Sequence, residues 1–168
     1  MRTPRHLEKG ATAVEFLVVG MTLVLPLCFA MFFTAQILWI WHSVAEMTRE
    51  GARYAATHCY QNGANVRNYM QRSAPAMPDR DQFINGAAEI AVTYYGRSAE
   101  SNELTEFSCD TECSLGCIPD VVKVQVRNYE YRNFLIYWGI PPVQLPDFQT
   151  TLAMEGAGCD PDTGSCNP

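Results

Sequence analysis

The sequence predicts an α+β chain: a long N-terminal membrane-spanning helix, then a small antiparallel β-sheet head stapled by disulfides. Three observations carry this. Residues 16–41 contain no Asp, Glu, Lys, Arg or His, and about 20 apolar residues suffice to cross a hydrocarbon core as a helix. Three later stretches, 90–95, 121–131 and 148–155, are β-branched and aromatic or alternate apolar with polar, which is the period of a strand. Six of the seven cysteines lie beyond the apolar run.

The composition agrees. The chain has 168 residues and a formal net charge of −6. That excludes a nucleic-acid binder, which needs a cationic footprint to displace phosphate counterions. Only 18% of residues are charged, against about 25% in ordinary domains, largely because 26 consecutive residues carry none. The commonest enzyme motifs, a phosphate loop, His-Glu-x-x-His and Gly-x-Ser-x-Gly, are missing from the sequence. No cofactor is expected, and enzymatic activity is not.

Within the span, Thr22, Thr34 and Gln36 are tolerable polar residues. Pro26 should disturb the helix, as membrane helices often allow. Trp39 and Trp41 close the run, where amphipathic rings prefer the headgroup layer. Arg2, Arg5 and Lys9 precede it, whereas Arg49 and Arg53 follow it among Glu46 and Glu50. This cationic bias places the N-terminus in the cytoplasm. Ser43-Val44-Ala45 would serve as a signal-peptidase site, but the apolar stretch exceeds the 7–15 residues of a secretory signal.

Ahead of the span stands Gly10-Ala11-Thr12-Ala13-Val14-Glu15-Phe16. Thr12 and Glu15 have the spacing of a capping box, and Glu near a helix start suits the helix dipole. The same block, behind a short basic leader, resembles the processing site of type IV pilins and their relatives. That resemblance implies cleavage by a prepilin peptidase between Gly10 and Ala11. Glu15 would then pair with the new amino terminus of a neighbouring subunit, since a carboxylate entering hydrocarbon is costly unless paired.

Beyond Trp41 the pattern stays helical, with Val44, Met47/Thr48, Gly51 and Tyr54/Ala55 recurring every three or four residues. One helix is expected over 11–58, about 70 Å long, its part over 16–41 in the membrane and its part over 42–58 amphipathic. Gly51, Ala52, Ala55 and Ala56 permit close packing against the head or a neighbouring subunit, while Arg49 and Arg53 read as a solvated edge. Together with the first block, Arg49-Glu50-Gly51-Ala52-Arg53-Tyr54-Ala55-Ala56 resembles the TadE family, pseudopilins or minor pilins of the tight-adherence (Tad, Flp) pilus. The resemblance covers residues 9–58. It implies a pilin-like organisation: a cytoplasmic leader over 1–10, the helix over 11–58 and a periplasmic head over 59–168.

The head is read from its own residues. Gln61-Asn62-Gly63 has turn chemistry, 65–73 suggests a short helix stopped by Pro75 and Pro78, and 81–91 is ambiguous between helix and strand. The stretch 121–131 alternates, with Val122, Val124 and Val126 on one face and Lys123, Gln125 and Arg127 on the other. Residues 134–138 are an apolar run, and Pro141, Pro142 and Pro146 keep the following stretch irregular. Cys28 lies in the span as a small apolar residue. Cys59, Cys109, Cys113, Cys117, Cys159 and Cys166 allow three disulfides in 15 connectivities, and a polar stretch as long as 98–120 needs staples to be ordered. The spacing Cys109-x3-Cys113-x3-Cys117 does not match the Cys-x2-Cys pairs of zinc sites. Asp160, Asp162 and Gly164 resemble half a calcium loop, but the 12-residue pattern and its terminal Glu are missing, so a solvated turn is expected and no metal. The type IV pilin resemblance implies a C-terminal disulfide loop, which Cys159 and Cys166 would close.

The resulting functional expectation is a structural assembly subunit of a Tad pilus, held in the bacterial inner membrane with a periplasmic head and able to enter an extracellular pilus. Its partners would be the prepilin peptidase, other pilin or pseudopilin subunits and the pilus assembly platform. The alternative is a periplasmic binding domain or enzyme, tethered by a signal anchor or released after Ala45.

Overall fold

The computed structural model describes residues 8–73, 81–98, 102–132, 139, 141–154, 156–160 and 162–166. The architecture is α+β. Helix α1 (Glu8–Val19) leads through a π-helical turn (Gly20–Val24) into α2 (Leu25–Thr57). The π turn sits just ahead of Pro26. A proline lacks an N–H, and its ring crowds the carbonyl four residues back, here that of Thr22. Widening the preceding turn lets the Leu25 N–H reach the Gly20 carbonyl, five residues back, so helical bonding resumes beyond the proline. The helix already begins at Glu8, so Thr12 lies inside it. The capping-box expectation for Thr12 is thereby corrected: Glu8 and Lys9 are good helix formers and carry the helix past that point.

The chain divides into two units, one ending at Trp39 and the other beginning at Ile40. The first is helical over its described residues. The second takes in the rest of α2, then α3 (Ala64–Ser73), α4 (Asp81–Ile84), β1 (Glu89–Arg97), β2 (Leu104–Glu106), β3 (Val121–Arg127), β4 (Glu130–Tyr131), β5 (Val143–Gln144), β6 (Phe148–Ala153), β7 (Cys159–Asp160) and β8 (Ser165–Cys166). Strands β2, β1, β3 and β6 form one antiparallel sheet in that order, while β4–β5 and β7–β8 are two-stranded ribbons.

The core of this second unit lies between α2 and one sheet face. Ile40, Val44, Met47, Thr48, Gly51, Ala52 and Ala55 are buried at helical spacing. They meet rows fixed by the strand register: Ile90–Val126–Phe148, Val92–Val124–Thr150 and Tyr94–Val122–Leu152. Trp41 packs edge-on against Phe148 at 5.0 Å, and the Thr48 and Thr150 hydroxyls share a hydrogen bond of 3.0 Å. Val122, Val124 and Val126 are buried, each contributing roughly 1.5–3 kcal/mol.

Two strand expectations need revision. The strand expected over 121–131 ends at Arg127, because Asn128 takes a left-handed φ of 57°. Asn tolerates that region better than most residues, and it turns Glu130–Tyr131 away into the ribbon with β5. The polar stretch 98–120 is not wholly loop, since it contributes edge strand β2. The ambiguous stretch 81–91 resolves into the single helical turn α4 followed by the start of β1. Pro75, Pro78 and the apolar run 134–138 lie outside the described residues.

Candidate membrane and assembly segment

Gly10 and Ala11 lie in the opening turns of α1, and Glu15 is exposed one turn further on. Glycine weakens a helix interior by about 1 kcal/mol relative to alanine. Glu15 makes no ion pair among the described residues. Around it the apolar side chains face outward: Phe16 is 81% exposed, and Leu17, Met21, Leu27 and Phe32 all exceed half. Thr22 and Thr34 return their hydroxyls to the carbonyls of Val18 and Ala30 at 2.6 and 2.8 Å, which satisfies them without water. The helix over Thr12–Thr57 is long and apolar enough to cross a membrane.

The second block divides between two faces of α2. Gly51, Ala52 and Ala55 are buried, and Ala56 is half-buried. A Cβ at Gly51 would lie 2.5 Å from Met70 Sδ, so the Met70 side chain of α3 occupies the space that a larger residue at 51 would need. The other face carries Glu50, Arg53, Tyr54, Thr57 and His58, which with Tyr69 line an open cleft of about 340 Å³. Tyr54 is stacked between His58 and Tyr69 at 3.7 and 4.1 Å. His58 Nδ1 lies 2.8 Å from the Tyr54 carbonyl; a carbonyl only accepts, so this nitrogen carries the proton and caps the helix end. Arg49 pairs with Glu46 at 3.5 Å on the solvent side.

The cysteines form three disulfides: Cys59–Cys113, Cys109–Cys117 and Cys159–Cys166. Two of these elements meet at the end of α2. The Cys113 N–H donates to the Tyr60 carbonyl at 3.0 Å, which fastens the 98–120 segment there. Gly158 has a φ of 67°, and any Cβ on it would stand 2.5 Å from the Thr57 carbonyl oxygen. Only glycine suits both demands, so the segment leading into β7 seats directly on the helix terminus. Asp160 organises the turn between β7 and β8. The Asp162 N–H at 2.9 Å and the Thr163 hydroxyl at 3.0 Å hold its carboxyl below the usual carboxylate range. Cys28 is free and exposed in α2.

Some participants gave no signal in the sequence, because their contacts join distant segments. Met70 against Gly51 and Tyr69 against Tyr54 are of this kind, as is Gln82. Its amide donates to the Glu130 carbonyl at 2.6 Å and accepts from the Glu130 N–H at 3.1 Å. Tyr94 is another. Burial, with Tyr60 adding and Arg67 opposing, pushes its phenol up to about 12. Its hydroxyl has no hydrogen-bond partner among the described residues.

Compared with known proteins, residues 10–53 match a family model described as TadE-like protein, the family that the two sequence blocks resemble. No curated protein and no solved structure matches the chain.

Proposed function

With a TadE-like segment over residues 10–53 as premise, we propose that the protein is a structural subunit, a pseudopilin or minor pilin, of a Tad pilus. It is inserted with its N-terminus in the cytoplasm and its head across the inner membrane, and a prepilin peptidase removes residues 1–10. The apolar helix is stored in the bilayer and then packs among the helices of neighbouring subunits, with Glu15 meeting the amino terminus of an adjacent Ala11. The observation that carries this reading is the exposed apolar helix around Glu15, placed behind Gly10 and a basic leader. Such a surface needs lipid or partner helices to cover it. Release after Ala45 is disfavoured by the core: that cut would strip away Ile40 and Val44, which are 1% and 0% exposed.

Intact mass of the membrane-extracted protein is the test. Loss of residues 1–10, abolished by Gly10→Val, is expected. A chain cut after Ala45, or one processed after position 10 despite Gly10→Val, would sink the assignment.

A further inference from the structure

The sheet has two edges of different character. Edge β2 is three residues long and ends in Glu106. Edge β6, Phe148–Ala153, has six residues with no charge and no proline, and among the described residues it pairs only with β3. Natural edges are usually blunted by charge, proline or short length, since an open one templates further strand pairing. Edge β6 has none of these guards within it.

We propose that β6 receives β2 of a second copy of this chain, so that copies join side by side through a continuous antiparallel sheet. The inference takes from the proposed function only that all copies share one orientation in the membrane.

Strand direction selects this partner. Three antiparallel steps separate β2 from β6, so the two edges of one sheet run in opposite directions. A copy displaced sideways without reversal therefore brings its β2 antiparallel to β6, the pairing that the rest of the sheet already uses. Two β6 edges meeting antiparallel would have to reverse one copy. Because β6 runs alongside α2, with Phe148 at Trp41 and Thr150 at Thr48, reversal would turn the two Ile40 ends to opposite ends of the pair. Two chains anchored in one membrane cannot do that.

The side chains select the register. On the face away from α2, the sheet carries Thr93–Lys123–Thr151 in one row and Glu106–Tyr95–Val121–Ala153 in another. Setting Glu106 of the next copy opposite Thr151 keeps its face and extends the first row. Its carboxylate then faces Lys123 across Thr151, with about 10 Å between their backbones, two strand spacings. The same register puts Leu104 of the next copy, 52% exposed on its own, against Ala153 and the end of the Val121 row. A head-to-tail contact of this kind leaves one β2 edge and one β6 edge free after each addition, so it extends beyond a dimer.

The test uses the full chain in its membranes with Cys28→Ser, the native disulfides checked by mass. With Leu104→Cys and Ala153→Cys in the same chain, a short bis-maleimide should give a ladder of dimer, trimer and higher species. Either cysteine alone should give none. Lys123→Glu should cut the cross-linked fraction about fivefold, and adding Glu106→Lys should restore it. A dimer from Ala153→Cys alone, no cross-link from the double variant, or indifference to the charge reversal overturns the proposal. The same mass spectra report residues 1–10 separately, so a ladder on unprocessed chains would uphold this contact while sinking the processing assignment.

Discussion

At the scale of single residues, Gly51 and Tyr94 make opposite predictions. Gly51 is small because Met70, 2% exposed, fills the space where its side chain would be. Gly51→Leu should cost about 1–3 kcal/mol through overpacking, read as a lower urea midpoint, and Met70→Ala in the same chain should recover part of it. Tyr94 buries a hydroxyl that finds no partner among the described residues. Tyr94→Phe should therefore leave stability unchanged or raise it by up to about 2 kcal/mol. Burial lifts the phenol from its ordinary 10.0 to about 12 in the folded state, so the folded state holds its proton longer than the unfolded chain does. That stability is fully present below pH 10 and is lost as pH rises from 10 to 12, by about 3 kcal/mol in all. In a phenolate absorbance titration, Tyr94 should ionise late, and Tyr94→Phe should remove that step.

Among elements, the disulfides differ in what they close. Cys59–Cys113 spans 54 residues, and Cys159–Cys166 spans 7. Loop-closure entropy then predicts a cost of about 4 kcal/mol for replacing the first pair with alanines and about 2.5 kcal/mol for the second, measured as the difference in urea unfolding midpoints. The elements also show what a sequence can and cannot reveal. The valine alternation of β3 was plain, because period two needs no knowledge of neighbours. Its end at Asn128 was hidden, because asparagine is equally at home in extended backbone, and only its left-handed φ reveals the break. Strand β2 was hidden as well: Leu104, Thr105 and Glu106 are too few and too exposed to leave a pattern, and only their pairing with β1 makes them a strand. The Gly10–Glu15 block and the apolar run were legible because both are local in sequence. The cleft around Tyr54 was not, because Tyr69 reaches it from another helix.

For the whole molecule, the boundary between units falls inside α2 rather than at its end. A fragment of residues 40–168 should keep the near-ultraviolet dichroism of a packed head, whereas one of residues 59–168 should not, because Ile40, Val44, Met47, Ala52 and Ala55 belong to the head core. A fragment of residues 59–168 with native tertiary signal would contradict this account. The bridge from Cys59 to Cys113 also bears on mechanics. It joins the terminus of α2 covalently to a segment that enters β3 at Val121, eight residues later. A pull on α2 from its N-terminal end is thus transmitted through a covalent bond into the central sheet. Packing forces need not carry that load alone, and the head resists being peeled from its helix under tension for as long as the bond is oxidised.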